Sequence, residues 1–224
     1  MKLSKILIVF LLISLLPLIG CSTKSEIQKE DIDISYLKEE SQKIKEYYYE
    51  QITQMNLDSP LNMKSRMWVK NKQARGEFIL ENKEGEVLEI QGFIFKDGVG
   101  VTDKYEIKHQ IHDELNGNPV LLTAYRVDLV DIRGYTFLNY LDKLGPEKAK
   151  IIDFANHNGQ ECLIIEPNLD GEEIMIDEIW VNIDYLVPVM IKNETITIEF
   201  INIKVGKGTV NNNELKIPQN ATLI

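Results

Sequence analysis

The residues of this sequence that could hold a metal are few. His109, His112 and Asp113 lie close together and could offer two imidazoles and a carboxylate to a metal ion. An H-x-x-H pair, however, lacks the glutamate and the fixed geometry of the helical H-E-x-x-H zinc site. We therefore interpret this segment as an exposed, charged connection. His157 stands beside Asn158-Gly159 and is expected to be a turn residue.

The sequence offers no convincing nucleophile. Cys162 stands beside Leu163 and Ile164 in an apolar stretch, where burial raises the pKa of a thiol and makes it a small hydrophobe. No nucleophile elbow, P-loop or dinucleotide fingerprint occurs in the sequence. We therefore expect no catalytic residues, no cofactor and no metal site, and we predict that the protein is not an enzyme.

Cys21 is the one residue that predicts a specific modification. Lys2 and Lys5 precede an apolar run over residues 6–19, and Gly20 comes directly before Cys21. A charged start, an apolar run and small residues before a cleavage point are typical of a secretory signal. The tetrapeptide Leu-Ile-Gly-Cys resembles the bacterial lipobox, in which the peptide is cut before the cysteine and the sulfur is acylated. Residues 1–20 are thus predicted to be a lipoprotein signal peptide.

An uncleaved transmembrane anchor is the alternative reading of the same segment. The apolar run is shorter than the roughly 18 to 20 residues that a spanning helix needs, and Pro17 interrupts it. The two or three acyl chains of a lipidated Cys21 would hold the protein at a membrane almost irreversibly. The expected location is the extracytoplasmic face of the cell membrane, with the lipid on Cys21 as its anchor.

The charge and composition of the mature chain argue against some classes of binding partner. Without Lys2 and Lys5 the chain has 23 basic and 35 acidic residues, a net charge of −12, which argues against nucleic acid and against polybasic docking on anionic lipid. Residues 21–33 are polar and charged, as in a flexible tether. Residues 34–224 have the length of a single domain.

Two helices are predicted in that domain. Apolar residues recur at helical spacing from Ser35 to about Met55, with Ser35 as the N-cap, so we predict one amphipathic helix of about five turns. The run Tyr47-Tyr48-Tyr49 on it is interpreted as core packing. A second, short helix is predicted from Thr136 to Leu144, stopped by Gly145-Pro146.

The rest of the domain has the alternating pattern of strands. The dipeptides Glu84-Gly85, Asp97-Gly98 and Asn158-Gly159 mark turns between strands, so the pairing is expected to be antiparallel. The predicted fold class is mainly antiparallel β with helices (α+β), a curved sheet covered on its apolar face by both helices. The strand segments are expected at 63–69, 78–80, 87–95, 99–101, 120–122, 151–154, 162–165, 174–181, 187–191 and 195–205.

Several segments together resemble the LolA/LolB-like lipoprotein-carrier family, the outer membrane lipoprotein-sorting proteins. Their order along the chain, from the first helix to Pro218, carries the resemblance more than any single motif. It implies a half-open β-barrel closed by helices around an apolar cavity, which in carrier members accepts acyl chains. The segments are Trp68–Arg75, Lys96–Gly98, Tyr135–Leu144, Asn158–Leu163, Ile179–Asn182 with Tyr185 and Pro188-Val189, and Leu215–Pro218.

Within that family the chain is most similar to the clostridial germination lipoproteins of the GerS type, which share the lipobox followed by a LolA-like domain. That similarity implies a protein-binding role at the forespore envelope or the cell envelope, in spore germination or sporulation, with a cortex-modifying cell-wall amidase as partner.

Three functions of different classes follow from the sequence. The first, which we favour, is a membrane-anchored, non-catalytic module of the cell envelope that binds a protein through a sheet edge or the convex face. The second is a carrier that binds lipid or a lipoprotein acyl chain in the cavity. The third, an envelope hydrolase, lacks a catalytic constellation. The sequence does not decide whether the domain forms a homodimer by exchanging strands or helices, which free sheet edges would allow.

Overall fold

Eleven antiparallel strands in one sheet make up most of the computed structural model, which describes residues 32–55, 61–81, 85–96, 100–108, 136–168 and 176–224. The strand order is β11-β5-β4-β3-β2-β1-β10-β9-β8-β7-β6. The strands are β1 Glu46–Met55, β2 Leu61–Lys70, β3 Gln73–Glu81, β4 Val87–Lys96, β5 Gly100–Lys108, β6 Ala149–His157, β7 Gln160–Pro167, β8 Glu178–Asn182, β9 Val187–Lys192, β10 Ile196–Val205 and β11 Thr222–Leu223. The helices are α1 Ile34–Lys43 and α2 Asn139–Asp142.

The predicted antiparallel sheet is confirmed. All ten strand pairs are antiparallel, and the edge strands β11 and β6 do not pair with each other, so the sheet of the described residues is open. Asn158 and Gly159 form the predicted hairpin turn with φ values of 52° and 82°, as a two-residue type I′ turn requires. The predicted turn at 97–98 and strand at 120–122 lie outside the described residues.

The predicted single helix from Ser35 to Met55 is wrong in its second half. Helix α1 begins after Asp33, whose carboxylate accepts a hydrogen bond from the Tyr36 N–H at 2.7 Å, so Asp33 and not Ser35 is the N-cap. The helix ends at Lys43, and β1 follows. β1 lies in the middle of the sheet between β2 and β10, where aromatic side chains pack well on a pleated surface.

The inner face of the sheet is covered by the segment that contains α2. Phe137, just before α2, packs against Tyr47 and Tyr49 of β1 and Phe200 of β10, whose ring centroids lie 4.5 to 5.5 Å from its own. The predicted helix from Thr136 to Leu144 is confirmed in part, because only Asn139–Asp142 is α-helical. Phe137, Leu138, Leu141 and Leu144 are buried.

The outer face of β1 to β5 is covered by the chain that follows β10. Residues 206–224, here called the C-terminal strap, place Val210 and Leu215 against Trp68. Farther along, Ile217 and Ala221 pack on a second apolar cluster, and β11 pairs with β5. The strap therefore covers the outer face of this half of the sheet, whereas β6 forms the opposite edge.

Candidate protein-binding edge

Strand β6 is the edge strand at one end of the sheet. Within the described residues it pairs only with β7, and none of its nine residues is buried. Its neighbour β7 has five buried residues out of eight. Ile152 and Phe154 are two of the few large apolar side chains exposed in the described chain, at 46% and 37%. An edge strand that exposes apolar side chains can act as a template for another strand.

A β-bulge in β6 decides where these side chains lie. Ile151 pairs with Ile165, but the next paired residue, Asp153, lies opposite Ile164, so Ile152 is the extra residue of the bulge. Phe154 lies opposite Leu163. Residues directly opposite each other share a face of the sheet, and Leu163 and Ile165 are fully buried. The inner apolar layer therefore extends to Phe154 at the edge, where it is only partly covered.

Polar groups restrain this edge. The Asp153 carboxylate accepts a hydrogen bond from the Phe154 N–H at 2.7 Å, which occupies a backbone donor of the edge strand. Lys150 pairs with Glu166 of β7 at 2.7 Å, both side chains being exposed. Charges and bulges are the usual means by which proteins limit indiscriminate edge pairing.

A rigid turn lies beside the β6–β7 hairpin. The Ile183 N–H donates to the Glu161 carbonyl at 3.1 Å, which ties the β8–β9 turn to β7. The buried Asn182 side chain accepts hydrogen bonds from the N–H groups of Asp184 and Tyr185, each at 2.9 Å. These bonds hold the backbone of the turn at Tyr185, which is 54% exposed. Tyrosine is enriched among the residues that contribute most to binding in protein interfaces.

The residues considered for chemistry have structural roles where they are described. Cys162 is buried, and burial raises the pKa of its thiol, which confirms the interpretation as a small hydrophobe. His157 ends β6 beside the turn, with its ring 5.9 Å from that of Trp180. Among the described residues, no cluster of three or more His, Cys, Asp or Glu could hold a metal ion. Cys21, His109, His112 and Asp113 lie outside the described residues.

The sequence predicted a binding surface at a sheet edge or on the convex face and did not indicate its residues. The signal that could have located them is the sequence Ile-Ile-Asp-Phe at 151–154. Two successive isoleucines break the alternation of a strand, and such a break indicates a bulge, which is enriched at sheet edges.

Comparison with known proteins gives structural neighbours of low identity. No protein-family model and no curated protein matches the sequence. The crystal structure of MucB in complex with MucA(peri) is 11% identical with a TM-score of 0.48; the match covers 86% of this chain and 62% of that chain. A second structure of MucB with MucA, from Pseudomonas aeruginosa, has a TM-score of 0.47 and is 12% identical, with 84% of this chain and 60% of that chain covered.

Lipoprotein-sorting proteins are also among the neighbours. The LolA superfamily protein NE2245 from Nitrosomonas europaea is 8% identical with a TM-score of 0.30, covering 79% of this chain and 94% of that chain. A putative outer membrane lipoprotein-sorting protein domain from Vibrio parahaemolyticus is 11% identical with a TM-score of 0.31, covering 81% and 94%. The chain spans less than two thirds of the MucB structures. All four TM-scores are below 0.5, so these matches carry no conclusion about function.

Proposed function

We propose that this protein is a non-catalytic binding module of the cell envelope, and that strand β6 accepts an extended segment of a partner protein. The observation that carries the proposal is the pair of exposed apolar side chains, Ile152 and Phe154, on an edge strand with no second neighbour among the described residues. In strand addition, backbone hydrogen bonds supply affinity and alternate side chains supply specificity.

The apolar layer of the sheet explains why the edge would favour a partner. A strand added beside β6 would cover Phe154 and complete the layer formed by Leu163 and Ile165. Burying apolar surface contributes a favourable free energy of about 25 cal/mol per Å². Tyr185 would lie at the rim of such an interface. The same surface would not select nucleic acid, since the chain carries a net charge of −10.

The membrane anchor and the class of partner in this proposal come from the sequence. Lipidation of Cys21 would hold the domain at the extracytoplasmic face of the cell membrane, with residues 21–33 as a tether that lets it reach a partner. The similarity to germination lipoproteins makes a cortex-modifying amidase the first partner to test.

The carrier function is the second candidate, and the packing of Phe137 argues against it in one region. An acyl chain needs open apolar space between helix and sheet. There Phe137 fills the space against Tyr47, Tyr49 and Phe200, with ring centroids 4.5 to 5.5 Å from its own. We therefore favour the protein-binding edge.

A crosslinked pull-down from native envelopes tests the proposal. The bound fraction is analysed for both protein and lipid, using the wild type and the Ile152→Lys/Phe154→Lys double variant. We expect a stoichiometric protein partner whose recovery falls at least about tenfold in the variant, because lysines on an edge strand oppose strand addition.

The matched control is Leu80→Lys. Leu80 is exposed to the same extent as Phe154, 37%, but its strand β3 is paired on both sides and cannot accept another strand. Equal recovery of the partner by all three proteins would contradict the edge proposal. Recovery of lipid or acylated protein in place of a partner would support the carrier function.

A further inference from the structure

The hairpin formed by β6 and β7 carries more acidic than basic side chains. Residues 149–167 contain one lysine and three carboxylates, a net charge of −2 with the histidine counted as neutral. All four charged residues are exposed. They are Lys150, Asp153, Glu161 and Glu166.

The pairing within the hairpin leaves this excess of negative charge in place. Lys150 Nζ lies 2.7 Å from the Glu166 carboxylate, so the lone lysine is already matched by one carboxylate. The Asp153 carboxylate accepts a hydrogen bond from the Phe154 N–H at 2.7 Å. That donor is neutral and does not remove the carboxylate charge. Asp153 and Glu161 therefore account for the net charge of the hairpin.

The elements around the hairpin do not supply the missing positive charge. The β8–β9 turn, which is tied to β7, adds the exposed carboxylate of Asp184. Lys192 of β9 is paired with Glu178 of β8 at 3.0 Å. Glu147 and Lys148, directly before β6, cancel each other, and helix α1, which contacts β6, has as many acidic as basic residues. Among the described residues, the surroundings of the edge are therefore anionic.

The register of β6 places the charge beside the apolar surface. Phe154 lies opposite Leu163 on the inner face, whereas Asp153 lies opposite Ile164 on the outer face. Successive side chains of a strand point to opposite faces. A strand added beside β6 would thus place alternate side chains in the inner apolar layer, and those between them on the outer face near Asp153.

Building on the strand addition proposed for β6, we propose that the accepted segment is basic, an extended stretch of a partner protein in which apolar residues alternate with lysine or arginine. The apolar side chains would cover Phe154, and the basic ones would lie near Asp153. Opposite charges on neighbouring strands stabilise their pairing, whereas like charges oppose it. The net charge of −10 on the chain would also attract a basic partner and raise the rate of association.

Fluorescence anisotropy with the full-length protein in detergent tests the charge of the segment. The probes are three labelled, capped heptapeptides in which valine alternates with lysine, with threonine or with glutamate. We expect the lysine peptide to bind at least about tenfold more tightly than the glutamate peptide, with the threonine peptide between them. Raising the salt concentration from about 50 to about 500 mM should reduce this preference, because salt screens exposed charges.

Two double variants locate the charge. Asp153→Asn/Glu161→Gln should reduce the preference for the lysine peptide at least about threefold, while the amide oxygen at position 153 can still accept from the Phe154 N–H. Glu194→Gln/Glu199→Gln is the matched control, since it removes the same charge from the β9–β10 hairpin inside the sheet. It should keep the preference of the wild type. An equal reduction in both double variants would overturn the proposal, because it would trace the preference to the net charge of the chain.

The failure of the basic segment can be told apart from the failure of the edge. Equal affinity for the three peptides, with binding lost in Ile152→Lys/Phe154→Lys, would keep β6 as the binding edge and overturn the basic segment. Absence of saturable binding of the lysine peptide at about 1 mM would also overturn the basic segment. The pull-down described above decides on the edge itself, because it does not depend on the charge of the partner.

Discussion

Glu77 is a carboxylate buried in the outer face of the sheet with 1% of its side chain exposed. Arg66 and Arg75 donate to it from either side, and Tyr105 donates its hydroxyl proton. Gly92 makes this possible, because a Cβ there would lie 2.1 Å from the Tyr105 ring. Burial alone would raise the pKa of Glu77, but the Tyr105 hydrogen bond and the two guanidinium charges outweigh it and hold that pKa below its usual value.

Glu77→Gln should destabilise the fold by about 3 kcal/mol near pH 7, because it leaves two guanidinium groups without their counter-charge. Since the pKa of Glu77 is lowered in the folded state, its contribution is complete above the unfolded value of about 4.3 and declines as the pH falls through the lowered folded value. The difference between wild type and variant in urea unfolding should therefore shrink on acidification. Glu166→Gln, which removes an exposed partner of Lys150, should change stability by less than about 1 kcal/mol.

The boundary between α1 and β1 shows what local sequence can decide. The pattern Leu37, Ile44, Tyr48, Ile52 fits helical spacing, but Tyr47 and Tyr49 are the buried aromatic residues of β1 and alternate with the less buried Tyr48. Pairing with β2 and β10 on both sides decides for the strand, and no local window contains those partners. The β6–β7 hairpin was predictable because the turn at Asn158-Gly159 fixes its register locally. The identity of the edge strand was not, because it depends on the order of all eleven strands.

Phe137→Ala tests the packing of the segment that contains α2. Removing a buried phenylalanine side chain should cost about 3 to 5 kcal/mol, through lost burial and the cavity left behind. Tyr140→Ala, on the same segment and only half-buried, is the control and should cost clearly less. Both are measured by urea unfolding. If Phe137→Ala left stability unchanged, the space it occupies would already be loosely packed, and the carrier function would gain support.

Membrane attachment is predicted to depend on the N-terminal segment, where residues 1–20 are expected to be removed and Cys21 to be acylated. The chain carries a net charge of −10, which does not favour binding to anionic lipid. No helix among the described residues has the length and apolar character needed to span a bilayer.

Cys21→Ala should move the protein from the membrane fraction to the soluble fraction of fractionated envelopes. The acyl chains on Cys21 would contribute a membrane-binding free energy of about 0.8 kcal/mol per buried methylene, and the variant would lack them. Metabolic labelling with a fatty acid should mark the wild type but not the variant. Cys162→Ala is the matched control: its thiol is buried in β7, so that variant should stay labelled and membrane-bound. Continued membrane association of Cys21→Ala would argue for the uncleaved apolar segment as the anchor, and the tether of residues 21–33 would then begin from a helix in the bilayer.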